Sequence, residues 1–263
     1  MTCHLRNCRR SDVANAWFFV IPKRAPGLMP VAFPLAIAWA LLLGGCSPRG
    51  SDASFYPLDE GRSWTYRVTK NLDEAAEADI DSVTFTMKGA EAIEGGRAAR
   101  RHSNNGLDYW LKSDDAGIYR VASRNPLEEH AKPDNPPRFV LKQPFVVGTQ
   151  WQASTVAYVL QRRNMFPGDV RYTQKPLMMV YAISALGESV ETPAGKFDGC
   201  IKVVGEAKIK LFVDATVNWQ DIPLFTAEWY CPGVGLARVE RLEKSPSRLV
   251  RGGSLTLDLV SMK

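Results

Sequence analysis

The chain has 263 residues, of which 45% are hydrophobic and 23% are charged, a composition typical of a folded globular protein and not of a disordered chain. Its formal net charge is +5, but five basic residues and only one acidic residue precede Cys46. The remainder is nearly neutral, with 28 basic and 27 acidic residues. Charges of both signs alternate along it, which excludes the basic electrostatic footprint of a nucleic-acid-binding protein.

An apolar run occupies residues 31–43 and leads into the sequence LLLGGC, residues 41–46. A helix that crosses a bilayer needs about 20 apolar residues, so this run has instead the length of the apolar segment of a secretory signal. Small residues before the cysteine favour cleavage, and the L-G-G-C order resembles the lipobox of bacterial lipoproteins. We therefore predict that residues 1–45 are a signal peptide, cut between Gly45 and Cys46, and that Cys46 is lipidated.

Residues 1–30 are longer than a typical charged leader. A translation start at Val20 would place Lys23 and Arg24 directly ahead of the apolar run, where positive charge directs orientation. The start therefore stays open between Met1 and Val20. After the signal, we predict a lipidated tether over residues 46–54 and a β domain over residues 55–263.

The β domain begins with an alternation in which Trp64, Tyr66 and Val68 share one face, as in a strand with one buried side. Closely spaced Gly, Asn and Asp turn signals then predict an antiparallel meander. Residues 124–137 are rich in proline and lack periodicity, which predicts a long surface connection and the best internal boundary.

A repeated pattern places a glycine three residues before a tryptophan, as Gly61 and Trp64 and again as Gly148 and Trp151. The repeat leaves open that the domain consists of two related halves. The longest alternation covers residues 201–219, which at about 3.3 Å per residue exceeds one flat strand. We expect a bend or break near Gly205 or Asp214.

No segment has the periodicity of an amphipathic helix of ordinary length. The predicted fold class is therefore mainly β, an antiparallel meander that forms a curved sheet, a half-barrel or a barrel. Closure into a barrel would remove the sheet edges that a meander otherwise exposes.

Two cysteines follow Cys46, namely Cys200 and Cys231. In an oxidising compartment these two could form a disulfide. Simple alternation places Cys200 on the face opposite Ile201. A bond to Cys231 therefore requires an irregularity at Gly199 or Pro232 that interrupts the alternation of side chains between the two faces. Two separate thiols are the alternative.

Three sequence segments resemble motifs of a family of uncharacterised β-rich bacterial envelope lipoproteins. They are YPLDEGRSWTYRV, VETPAGKFDGCIKV and WYCPGVGLARVE, which occur in that order between residues 55 and 240. The resemblance implies an architecture and a cellular location, and it implies no catalytic or ligand-binding residue. Turn glycines, fixed prolines and buried aromatic rings account for these motifs physically.

The sequence after Cys46 lacks the G-x-S-x-G, H-E-x-x-H, C-x-x-C and phosphate-loop signatures, and it contains only two histidines, His102 and His130. We therefore predict no enzymatic activity, no catalytic residue, no metal site and no cofactor. A carbohydrate-active hydrolase is the less favoured alternative, because two carboxylates suffice for that chemistry. Asp108 with Asp114 or Asp115 is the first pair to consider.

These observations predict a lipid-anchored protein of the cell envelope with a structural or binding role. Ser47 stands where an aspartate would resemble an inner-membrane retention signal, which favours the outer membrane, facing the periplasm. The expected partners are the membrane, through the lipid anchor, and an envelope protein or an apolar ligand, but not nucleic acid. A carrier of an apolar or lipid-like ligand is the main alternative, with an adaptable lining of Met165, Met178 and Met179.

Overall fold

The computed structural model describes residues 54–162, 176–213, 215–216, 218–245, 247 and 249–263. All of them belong to the unit Cys46–Lys263. The predicted cleavage and lipidation site at Gly45 and Cys46 lies outside these residues, as does Met165. Within the described ranges no helix is long and apolar enough to cross a membrane.

The described chain is built from β-strands. Their bounds are β1 Ser63–Leu72, β2 Asp79–Ile93, β3 Gly96–Ser103, β4 Asp108–Asp114, β5 Gly117–Arg124, β6 Lys132–Lys142, β7 Gln150–Thr155, β8 Gln161–Arg162, β9 Leu177–Thr192, β10 Gly195–Phe212, β11 Trp219–Cys231, β12 Gly235–Glu243, β13 Val250–Arg251 and β14 Gly253–Met262.

Twelve of the strands form one antiparallel sheet in the order β6-β5-β4-β3-β2-β1-β14-β12-β11-β10-β9-β7, and β8 pairs with β13 separately. The two edge strands approach each other, since the Arg138 side chain of β6 donates from Nε to the carbonyl oxygen of Ser154 in β7 at 2.9 Å. The sheet is thus nearly closed into a barrel. The predicted fold class, mainly antiparallel β, is confirmed.

The first strand of the described chain lies beside the last one. β1 pairs with β2 on one side and with the last strand, β14, on the other. The proline-rich residues 124–137, predicted to be a surface connection, are in fact partly strand, because β6 begins at Lys132 and pairs with β5. The two strands that flank the predicted boundary are therefore neighbours in one sheet.

The long alternation of residues 201–219 belongs to two strands, because β10 ends at Phe212 and β11 begins at Trp219. The chain thus reverses between Phe212 and Trp219, whereas the pairing of β10 with β11 continues without a register shift past Gly205. Of the two predicted places, Gly205 is therefore not the break, and Asp214 lies outside the described residues. Trp219 ends the apolar parity of this alternation. Trp219 is 54% exposed and pairs with Phe212 across the hairpin.

Most buried apolar side chains lie on the inward face of the sheet, where Tyr181, Ile183, Val203 and Leu224 belong to one hydrophobic cluster. Trp64 and Trp151 are each 5% exposed and Trp229 is 8% exposed, so all three rings act as packing residues.

A second buried cluster contains Cys200, Cys231, Val190 and Trp229. Cys200 and Cys231 form a disulfide, with their Cα atoms 4.1 Å apart. Gly199 has a φ of 74°, and the register of β9 with β10 shifts on either side of Cys200. This irregularity buries both Cys200 and its neighbour Ile201, which regular alternation would place on opposite faces.

Candidate functional site

Polar side chains on the inward face of the sheet form a cluster that we call the interior polar cluster. Its members come from β6, β9, β11 and β12 and are Arg138, Tyr181, Glu228, Tyr230 and Arg241. Glu228 lies opposite the buried Val203 in the antiparallel register, so both side chains project from the same face. The cluster therefore interrupts an otherwise apolar interior.

Hydrogen bonds join two pairs of residues within the interior polar cluster. The Tyr230 hydroxyl donates to Glu228 Oε2 at 2.5 Å, and Arg138 Nη2 donates to the Tyr181 hydroxyl at 3.4 Å. Arg138 also donates to the Ser154 carbonyl of β7. This side chain therefore links the two edge strands, β6 and β7, to the cluster.

Burial dominates the electrostatics of the interior polar cluster. It raises the pKa of Glu228, although the Tyr230 hydrogen bond and the charges of Arg138 and Arg241 act in the opposite direction. Burial and the nearby Glu228 also raise the pKa of Tyr181 to about 12. The pKa of Tyr230 is raised as well, by burial and by Glu228, so both tyrosine hydroxyls stay neutral at physiological pH.

The Glu243 carboxylate holds the segment after β7 inside the sheet. It is fully buried and accepts hydrogen bonds from the backbone N–H groups of Tyr158, Val159 and Leu160 at 2.9 to 3.2 Å. Arg241 donates from Nε to Glu243 at 3.0 Å and from Nη2 to the Val156 carbonyl at 3.0 Å. The buried pair of Arg241 and Glu243 has a structural role, because its hydrogen bonds hold the segment after β7 in place.

Arg101 is a separate inward-facing cation, 7% exposed. Its guanidinium carbon lies 4.1 Å from the ring centre of Phe85, 5.4 Å from that of Tyr56 and 5.6 Å from that of Trp64. Arg101 Nη1 donates to the Tyr56 hydroxyl. The aromatic faces stabilise the cation electrostatically, by up to about 2 kcal/mol for a desolvated contact.

The carboxylates considered for a hydrolase do not form a catalytic pair. Asp108 is buried and accepts hydrogen bonds from Arg100, His102 and Arg124, whereas Asp114 lies at the other end of β4. Six residue steps along the strand place their Cα atoms roughly 20 Å apart, beyond the roughly 5 to 9.5 Å required between glycosidase carboxyl groups. Asp115 is exposed in the turn that follows.

His130 and the methionines predicted to line a ligand site do not come together. His130 is exposed beside Glu129, with 4.0 Å between the paired atoms. Met179 is fully buried, but Met178 is 56% exposed on the other face, so the predicted methionine lining does not form. Across the described residues, no group of three or more His, Cys, Asp or Glu side chains is placed to hold a metal ion.

Two concave regions adjoin the sheet. A cavity of about 10 Å³ is lined by Tyr56, Pro57, Trp64, Tyr66, Arg101, Gly235 and Leu236. An open groove of about 330 Å³ lies over the strands β2 to β5 and includes Arg97, Lys112 and Tyr119. The first could hold one small molecule of the size of water.

The arginines and glutamates of the interior were missed by the sequence interpretation, although a signal was present. Arg241 and Glu243 continue the parity of Ala237, which is fully buried on β12. A charged residue at an inward position of an alternating strand marks a buried polar network. The sequence could not show which charges from distant strands would meet.

No family model and no curated protein matches this chain. Among solved structures, it is similar to a protein of Parabacteroides distasonis ATCC 8503 classed as a lipoprotein, with 18% sequence identity and a TM-score of 0.38, over 80% of this chain and 98% of that chain. It is also similar to a protein of Bacteroides fragilis NCTC 9343 classed as exported, with a YmcC-like fold. That match has 17% identity and a TM-score of 0.36, over 80% of this chain and 99% of that chain.

Proposed function

We propose that this chain is a lipid-anchored protein of the bacterial envelope whose β domain has a non-catalytic, structural or binding role. The observation that carries the proposal is the LLLGGC sequence, in which Cys46 directly follows an apolar run and two glycines. Several acyl chains on one cysteine make a stable membrane anchor, whereas a single chain gives only marginal binding.

The disulfide between Cys200 and Cys231 supports an envelope location, because such bonds persist in oxidising compartments and are rare in the cytosol. The described chain begins at Ser54, whose carbonyl accepts a hydrogen bond from Gly233 at 3.1 Å. Seven residues lie between Cys46 and Ser54, and the eight steps from one Cα atom to the other span at most about 28 Å. In our proposal this tether holds the β domain close to the outer membrane, on its periplasmic side.

The anchor is tested by replacing the lipidated cysteine in the full-length chain. Cys46→Ala should move the protein from the membrane fraction to the soluble fraction and abolish incorporation of a labelled fatty acid. Ser51→Ala, in the predicted tether, leaves Cys46 in place, is the matched control and should change neither. Membrane retention of Cys46→Ala with unchanged fatty-acid labelling would contradict the proposal.

A second candidate function is a carrier or binding module for a lipid-like ligand, and one observation favours it. Arg138 and Glu228 of the interior polar cluster are only partly buried, so an inserted ligand with a polar or anionic head group could contact them. Native mass spectrometry of the protein extracted from its own membranes tests this function. A bound lipid lost in Arg138→Met but retained in the exposed-site control Arg97→Met would support it, and an unliganded mass throughout would oppose it.

A further inference from the structure

The loop between β6 and β7 carries exposed apolar side chains. It covers residues 143–149, between the end of β6 and the start of β7, and none of its residues is charged. Val146 is 50% exposed and Val147 is 61% exposed. Single apolar residues are ordinary on a protein surface, so the position of this adjacent pair in the molecule decides what the pair means.

Hydrogen bonds brace this loop. Thr149 donates from its amide to the Val146 carbonyl at 3.2 Å and from Oγ1 to the Pro144 carbonyl at 2.6 Å. The amide of Gly148 donates to the Ile183 carbonyl of β9 at 2.9 Å. A braced loop loses little conformational entropy when it binds a surface, so a small apolar contact suffices to orient it.

The same loop touches the residues with which the chain enters the β domain. The ring of Phe55 packs edge to face on Phe145, with the ring centres 5.6 Å apart, and the Ser54 carbonyl accepts the hydrogen bond from Gly233. With seven residues between them, Cys46 lies within about 28 Å of Ser54. A membrane that holds Cys46 is therefore close to this loop.

A third aliphatic side chain extends the apolar surface. Leu186, three positions after Ile183 on β9, is 46% exposed. The charged residues that flank these apolar positions in sequence, Lys142 and Glu188, have opposite signs. A general attraction to anionic head groups is thus not the basis of a membrane contact here, and the burial of apolar area is.

We propose, as an extension of the proposed lipid anchor and dependent on it, that Val146, Val147 and Leu186 form a second contact with the bilayer that holds Cys46. Their side chains insert at the level of the upper acyl chains. Three aliphatic side chains are too few to hold the domain on a membrane, so the acyl chains on Cys46 supply the affinity and the loop sets the orientation of the β domain. This division is consistent with the release expected for Cys46→Ala.

The test places a fluorescent label on the loop of the full-length lipidated protein. Cys46 is acylated in our proposal and Cys200 is bonded to Cys231, so Val147→Cys provides the thiol for labelling. In vesicles of phosphatidylethanolamine and phosphatidylglycerol, a nitroxide near the top of a lipid acyl chain should quench this label about twofold or more, because an inserted apolar group lies about 5 to 10 Å into the boundary between head groups and acyl chains. Iodide in the water should quench it little.

Leu127→Cys is the matched control. Leu127 is 98% exposed in the loop that joins β5 to β6, at the other end of β5 and roughly 23 Å away along that strand. A label there should be quenched by iodide and not by the nitroxide lipid. Leu186→Cys is a second position on the proposed contact, to be used if Val147→Cys does not fold, and its label should behave as expected for Val147→Cys.

The outcomes separate this inference from the anchor. Failure of the lipidated protein to sediment with the vesicles would overturn both. Sedimentation with vesicles, combined with a loop label that responds to the two quenchers as the Leu127→Cys label does, would overturn the inference and leave the anchor in place. Protection from iodide without quenching by the nitroxide lipid would assign the valines to a protein surface, which would also overturn it.

Discussion

Asp108 shows how one side chain acquires its role from its neighbours. Burial alone would raise the pKa of this carboxyl group, but hydrogen bonds from Arg100, His102 and Arg124 outweigh burial and lower its pKa from 3.8 to about 2. The folded state therefore prefers ionised Asp108 more strongly than the unfolded state does. This preference stabilises the fold above the unfolded pKa and disappears as the pH falls through about 2.

Replacing Asp108 by Asn should test this contribution. At pH 7 the variant should lose about 2 to 4 kcal/mol of unfolding free energy, because the arginines keep their charge and lose their counterion. Urea unfolding at pH 7, 4 and 2 should show the difference from the unmodified protein shrinking between pH 4 and pH 2. Asp115→Asn, in the exposed turn, is the control, and an equally large Asp108→Asn difference at pH 2 would contradict the prediction.

Gly205 is a second residue whose importance is set by close contacts. A Cβ atom there would lie 2.7 Å from Thr226 Cγ2, 2.8 Å from Met179 Sδ and 3.0 Å from Tyr181 Cδ1. The glycine thus lets three side chains of the inward face approach the β10 backbone. Gly205 is needed because it has no side chain, and not because of a special backbone angle.

Gly205→Ala should therefore lower the unfolding free energy by about 1 to 3 kcal/mol through overpacking. Adding Thr226→Ser removes the nearest methyl group and should restore part of this loss, as a double-mutant cycle in chemical denaturation would measure. Strict additivity of the two single changes would show that the clash with Thr226 is not the cause.

At the scale of elements, the hairpin of β9 and β10 is tied to the hairpin of β11 and β12. The disulfide between Cys200 and Cys231 connects them, and the amide of Ala194, at the tip of the first hairpin, donates to the Leu259 carbonyl of β14 at 3.0 Å. Val190 and Trp229 pack in the same buried cluster. The tip of a long hairpin is thus held against other strands of the sheet.

Removal of this disulfide should loosen the connection between the two hairpins. The free energy of unfolding of the double variant Cys200→Ala, Cys231→Ala should be lower by about 3 to 4 kcal/mol on the chain-entropy model, since the sequence separation of the two cysteines is 31. A reductant should produce a comparable loss in the unmodified protein and none in the double variant. A reductant without effect on the unmodified protein would argue against the bond.

At the scale of the whole molecule, the order of strands makes the first and last parts of the described chain interdependent. β1 has β14 as a neighbour, and the carbonyl of Ser63 accepts a hydrogen bond from the amide of Lys263 at 3.0 Å. A fragment that ends before β6 would therefore expose one edge of β1 and lose the inward packing of Leu259 against Tyr66.

We expect residues 46–131, expressed alone, not to fold. Far-ultraviolet circular dichroism and amide proton dispersion should be those of an unfolded chain, while the complete protein should unfold in one transition by fluorescence and circular dichroism. A folded fragment with dispersed amide signals would instead favour two independent halves divided near the predicted boundary.

The alternation of Trp64, Tyr66 and Val68 and the closely spaced turns were enough to predict antiparallel strands, because side-chain period and turn chemistry are local properties of the chain. The LLLGGC sequence also predicts an anchor at Cys46 from local signals alone, since an apolar run and small residues before a cysteine are read in sequence order; this anchor stays a prediction. Both features depend on neighbours a few residues away.

Only the tertiary structure decided which distant residues meet. It brought Arg138 to Glu228, enclosed Arg101 among Tyr56, Trp64 and Phe85, and shifted the register beside Gly199 so that Cys200 reaches Cys231. Strand pairing and register fix such contacts, and a shift of one residue reverses the face of every side chain that follows. For this reason local alternation could indicate a buried face but could not identify the partners across it.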